Sequence, residues 1–184
     1  MLSDSELKLK TEILTNKFKA GMFREIIIDV KSLIKKRKHQ FFFNILSLSY
    51  QSIGEFQSSI DIMNDALKLN SRNVAFLNNM GTTYHKMSKF DDSEKQFLKA
   101  LEVNPNYINA LNNLANLKKD LNFIDDAIDL YKKSISINSN LLDVHFNLAG
   151  IYQSLGDYDQ CKIHLEKILE LNPDFTQADR MIAN

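Results

Sequence analysis

Asn44, Asn78 and Asn112 stand 34 residues apart, and so do Asn79, Asn113 and Asn147. A carboxamide donates and accepts at once, so a row of them can pair with successive peptide groups of an extended chain, whatever side chains that chain carries. That is the chemistry of holding a polypeptide. Residues for bond making are sparse. The histidines at 39, 85, 145 and 164 read as scattered over different repeats and helix faces, with no two at the i,i+4 spacing of a metal-binding helix. There is no Gly-rich phosphate loop, nucleophile elbow or His–Glu motif, and the whole chain has five glycines. Its single cysteine, Cys161, allows no internal disulfide and no Cys-based zinc site. The sequence therefore predicts no enzyme, no cofactor and no metal. Asp91-Asp92 and Asp125-Asp126 are assigned a structural role, since they open helices, where the N-terminal dipole favours acids.

The elements that must position those asparagines follow from the same period. Leu69-Asn70, Val103-Asn104, Ile137-Asn138 and Leu171-Asn172 recur every 34 residues, as do Phe56, Phe90, Ile124 and Tyr158. Fixed self-similarity of this length is the mark of a solenoid. Between Val74 and Asn106 the apolar residues fall in two sets. Phe76, Leu77, Met80, Tyr84 and Met87 make the first, and Phe90, Phe97, Ala100, Leu101 and Val103 the second. Steps of three, four and seven put each set on one helix face. Ser88-Lys89 breaks the pattern between them, with Gly54 and Gly156 at the matching breaks. Each unit is thus a pair of amphipathic helices, and no strand alternation is present.

The best repeat, VAFLNNMGTTYHKMSKFDDSEKQFLKALEVNPN, resembles the tetratricopeptide (TPR) pattern at Leu77, Gly81, Tyr84, Ser93, Phe97, Ala100 and Pro105. The resemblance implies an all-α, right-handed TPR solenoid spanning 1–184. It divides into a degenerate repeat at about 7–39, regular repeats at 40–73, 74–107, 108–141 and 142–175, and a partial C-terminal cap at 176–184. Small residues at Gly81, Ala100, Ala115 and Ala149 let paired helices approach, while Tyr50, Tyr84 and Tyr152 fill space against the next repeat. Lys118 stands where that aromatic belongs, and Cys161 takes the small position of the fifth repeat.

In the family the first helix of each pair lines a concave groove. The resemblance places Asn44, Asn78, Asn79, Asn112, Asn113, Asn116 and Asn147 in that groove, with Lys86 and Lys119 as its cations and Phe41 and Phe146 as apolar contacts at either end. The ladder is similar to that of O-GlcNAc transferase TPR domains. It implies a protein–protein interaction scaffold holding an extended peptide or helix of a partner. An alternative reading is the N-terminal substrate-recognition module of a larger glycosyl- or sulfotransferase. Asn at the sixth repeat position also has a purely structural use, bonding a neighbouring helix. The groove cations do not form the clamp that grips a C-terminal carboxylate.

Formal net charge is zero, which calls for neither nucleic acid nor membrane. Residues 1–40 nevertheless hold ten Lys and Arg against five Asp and Glu. The basic run Lys31, Lys35, Lys36, Arg37, Lys38 and His39 reads as a solvated helix end, its cations meeting the C-terminal dipole. Apolar runs such as Phe41–Phe43 are too short to span a bilayer, and the charged N-terminus lacks a signal-peptide core. With a lone cysteine, this predicts a cytoplasmic protein without membrane insertion. The short cap, with Ala178, Met181 and Ile182, points to a fragment of a longer chain, a docked partner, or self-association through the C-terminal face.

Overall fold

The computed structural model describes residues 3–178. From residue 4 to residue 171 the described residues form ten α-helices: α1 (Asp4–Lys19), α2 (Phe23–Lys36), α3 (Gln40–Ser52), α4 (Phe56–Leu69), α5 (Val74–Lys86), α6 (Phe90–Val103), α7 (Ile108–Asp120), α8 (Ile124–Ile137), α9 (Leu142–Leu155) and α10 (Tyr158–Leu171). No strand occurs among the described residues. This is the all-α architecture of a TPR solenoid, built as helix hairpins. Residues 176–178 are again helical, and the remainder of the expected cap, with Met181 and Ile182, lies outside the described residues.

Two kinds of turn alternate, and each has its own chemistry. Within every hairpin one residue takes the left-handed conformation: Gly21, Gly54, Ser88, Asn122 and Gly156, with φ between 56° and 79°. Glycine adopts this freely, and asparagine tolerates it. Between hairpins, Asn70, Asn104 and Asn138 each accept the backbone N–H two residues on, at 3.0–3.2 Å. These Asx turns explain why asparagine closes the recurring pair at 69–70, 103–104 and 137–138. Helix starts are capped by Ser3 with Glu6, by Asn73 and by Asp157. His39 also caps, its Nδ1 accepting the Phe41 N–H at 3.3 Å.

The chain forms two compact units, Met1–Val103 and Asn104–Asn184. In the first, one core gathers Leu14, Ile26, Val30, Phe42 and Leu46, and a second gathers Phe43, Ile60, Met63, Phe76 and Met80. Gly81 matters here because the Phe97 ring, itself fully buried, occupies the place a Cβ would take. The small position of the next helix adds a hydrogen bond. Ser93 Oγ donates to the Gly81 carbonyl at 2.8 Å, and Ser59 Oγ donates to that of Ser47 at 2.9 Å. α1 attaches more thinly. Leu14 is its single buried residue, and ion pairs of Lys17 with Glu25 and Asp29 at 2.9–3.0 Å and of Arg37 with Asp4 at 2.9 Å tie it to α2 and the residue just beyond.

In the second unit Ala115, Ala127, Tyr131, Leu148, Ala149, Leu165 and Ile168 make the core. Cys161 is buried in it, and burial pushes its thiol pKa up, which suits a packing role rather than a reactive one. At the aromatic position Lys118 lays its ammonium 5.1 Å from the centre of the Phe123 ring and 3.9 Å from Asp126. No helix among the described residues is long and apolar enough to cross a membrane.

Candidate functional site

The asparagines of α3 and α5 are wired to one another. Asn79 Nδ2 donates to Asn44 Oδ1 at 2.8 Å, bridging two repeats, and Asn78 Nδ2 reaches Asn79 Oδ1 at 3.5 Å. Asn78 is buried, at 6% exposure, so it does not stand at the surface as a groove anchor would. Asn44 and Asn79 are half-buried. Beside them a cavity of about 290 Å³ opens between α3 and α5, lined by Gln40, Phe41, Asn44, Asn73, Ala75 and Phe76. Phe41 packs edge-on against Phe42, with ring centres 6.1 Å apart, and lines this cavity. Lys86, at the end of α5, is exposed.

The asparagines of the second unit belong to a longer chain of contacts. The Tyr131 hydroxyl donates to Asn116 Oδ1 at 2.5 Å, and Asn147 Nδ2 reaches the same oxygen at 3.4 Å. Lys119 Nζ donates to Asn147 Oδ1 at 3.0 Å. Burial, with the charge of Asp120, holds the Tyr131 phenol well above its ordinary pKa, so it serves as a neutral donor. Lys119 is thus committed to the ladder. Asn112 and Asn113 are half-buried, and the buried Oδ1 of Asn112 has no hydrogen-bond partner. Phe146 packs edge-on against Phe175, with ring centres 5.6 Å apart, which spends one face of the expected apolar contact on the fold itself.

The sequence reading scattered the histidines, and the structure corrects it. His145 and His164 share the last hairpin, and their Nδ1 atoms are 2.9 Å apart. His145 Nε2 faces the Ser139 carbonyl at 2.9 Å. A carbonyl only accepts, so His145 carries a proton on Nε2 and donates it to Ser139, and the two Nδ1 atoms share one hydrogen bond. Tyr152 stacks on His164 at 5.7 Å, and burial, then His145 and Lys132, hold the His164 pKa down to about 4. A signal for this pair was present. In an antiparallel hairpin, positions equidistant from the turn face each other, as Gly81 and Ser93 do about Met87. His145 and His164 stand ten and nine residues from Leu155. Among the described residues no three His, Cys, Asp or Glu side chains are grouped to hold a metal ion.

Tetratricopeptide repeat signatures match residues 74–107 and 142–175, and a further one matches 108–145. The chain belongs to the TPR family. Among solved structures similar to this TPR protein is PilF of Pseudomonas aeruginosa, at 15% identity and a TM-score of 0.81, covering 95% of this chain and 80% of that one. MamA is similar at 23% identity and 0.66, over 74% of this chain and 80% of that one. So is YrrB, described as a TPR protein with an unusual peptide-binding site, at 13% and 0.67, over 94% and 90%. No curated protein matches in sequence. These likenesses establish the fold, and the TPR fold is in general that of a protein-interaction scaffold.

Proposed function

We propose that this TPR protein is a scaffold that holds an extended peptide or a helix of a partner protein on the faces of its first helices. The observation that carries the reading is the cavity between α3 and α5. There Phe41 and Asn44 line one hollow together with small Ala75. An apolar side chain of the partner enters the hollow while its peptide group meets a carboxamide that can both donate and accept. The inter-repeat bond from Asn79 to Asn44 pre-orients that amide, which lowers the ordering cost of binding. The second unit has carboxamides of its own on its first helices, at Asn112, Asn113 and Asn147. YrrB's description supports the ligand class and lends no residues.

Replacing the ladder asparagines would also remove bonds between repeats, so the clean test fills the hollow instead. Ala75→Tyr occupies the cavity and leaves every asparagine in place. With a displayed library of random seven-residue peptides, wild-type binders selected at this face are expected to lose at least tenfold in affinity on Ala75→Tyr, with unchanged circular dichroism. If no binder class depends on position 75, the groove reading is wrong.

A further inference from the structure

The exposed face of α2 carries a stripe of cations around one apolar residue. Arg24, Ile28, Lys31 and Lys35 follow at steps of four, three and four, and all are exposed. That spacing lines them up along one side of a helix. α10 repeats the stripe with every sign reversed. Counted from the first residue of each helix, the same positions hold Asp159, Ile163, Glu166 and Glu170, again all exposed.

The central isoleucine sets these two helices apart. Ile28 is 71% exposed and Ile163 54%, so neither serves the core of its own unit. At the same position α4, α6 and α8 hold exposed Asp61, Lys95 and Asp129. The bulk charge divides the same way. Met1–Val103 has sixteen Lys and Arg against twelve Asp and Glu, and Asn104–Asn184 has seven against eleven. Local pairs temper each stripe. Glu166 and Glu170 lie 3.8 Å from Lys162 and 2.8 Å from Lys167, and Lys31 stands 5.5 Å from the centre of the Tyr50 ring. Exposed pairs of this kind are weak and exchange partners at little cost.

We propose that these faces are the two halves of one interface, at which α2 of one copy of this protein docks on α10 of a second copy. Laid side by side and parallel, the stripes put Ile28 on Ile163 and bring each cation against an acid. The isoleucines leave water at the centre, while the charges select the partner face and fix its register. Because the two faces differ, the contact is head-to-tail, and each copy of a pair keeps one face open for the next. Two isoleucines and six charges make a small contact, so the association is weak and sensitive to salt. The first helices that hold a peptide in the reading above take no part in it, and the two readings stand or fall separately.

Sedimentation velocity on the full chain tests this. The average mass is expected to rise with protein concentration in about 50 mM NaCl, and the association constant to fall about tenfold or more in about 500 mM. Lys31→Glu with Lys35→Glu, and separately Glu166→Lys with Glu170→Lys, are each expected to stay monomeric with unchanged circular dichroism. Mixed one to one, the two reversed chains are expected to associate again, because each offers the face that the other has lost. A fold damaged by substitution gives no such rescue. The proposal is overturned if the wild type stays monomeric at millimolar concentration in low salt, if both reversed chains associate as the wild type does, or if their mixture stays monomeric. Binding to phosphatidylserine vesicles by a chain that remains monomeric would also overturn it, since the basic stripe would then belong to a membrane surface.

Discussion

At the scale of single residues, this protein is governed by what is absent at Gly81. The Phe97 ring lies where a Cβ would stand, so Gly81→Ala forces a buried aromatic ring to move. Overpacking of this kind costs about 1–3 kcal/mol, against about 1 kcal/mol gained by alanine in a helix. Urea denaturation is expected to show net destabilisation, and Phe97→Leu added to Gly81→Ala is expected to recover part of it. A double-mutant cycle showing plain additivity would contradict the contact. The asparagines teach the complementary lesson. Sequence spacing located all of them, yet spacing alone could not divide their uses. Asn70, Asn104 and Asn138 fold turns, Asn79 and Asn147 bridge repeats, and Asn78 is buried.

At the scale of elements, the helices were readable because each buries one face and because their breaks carry turn residues. The positive-φ position was legible at Gly54 and Gly156, and the break at Ser88 was seen without its cost. Serine in the left-handed region is strained relative to glycine by about 1 kcal/mol, partly offset by the extra freedom glycine has when unfolded. Ser88→Gly is therefore expected to raise stability by about 0.5–1 kcal/mol, read as a higher urea midpoint. Asn122→Gly should gain less, since asparagine tolerates the conformation. What the sequence left hidden were contacts between helices of a pair, such as His145 with His164 or Tyr131 with Asn116. These depend on which residues mirror each other about a turn, and a pattern read along one helix does not expose that. The hollow between α3 and α5 was hidden for a related reason, because a hollow is made by side chains that fall short of one another.

At the scale of the whole molecule, acid is the condition that should reveal the buried histidines. The native pKa of His164 is about 4 against an ordinary 6.5, so the unfolded chain binds a proton that the folded one refuses. Stability contributed by this group is complete above pH 6.5, declines as pH falls from there toward 4, and levels off below, a total of about 3 kcal/mol. Unfolding curves at pH 7 and pH 4.5 are expected to differ more for the wild type than for His164→Phe, which keeps a ring against Tyr152 without the titrating nitrogen. An equal acid response in both would count against the pair. The mirrored contacts carry one more consequence, for exchange of parts between repeat proteins. Gly81 is matched in size to Phe97 across its hairpin, and Ser47 and Ser59 are matched by a hydrogen bond across theirs. A lone helix grafted from a related array would bring half of each match. The transplantable cassette is the hairpin, cut at the Asx turns, where the chain crosses from one matched pair to the next.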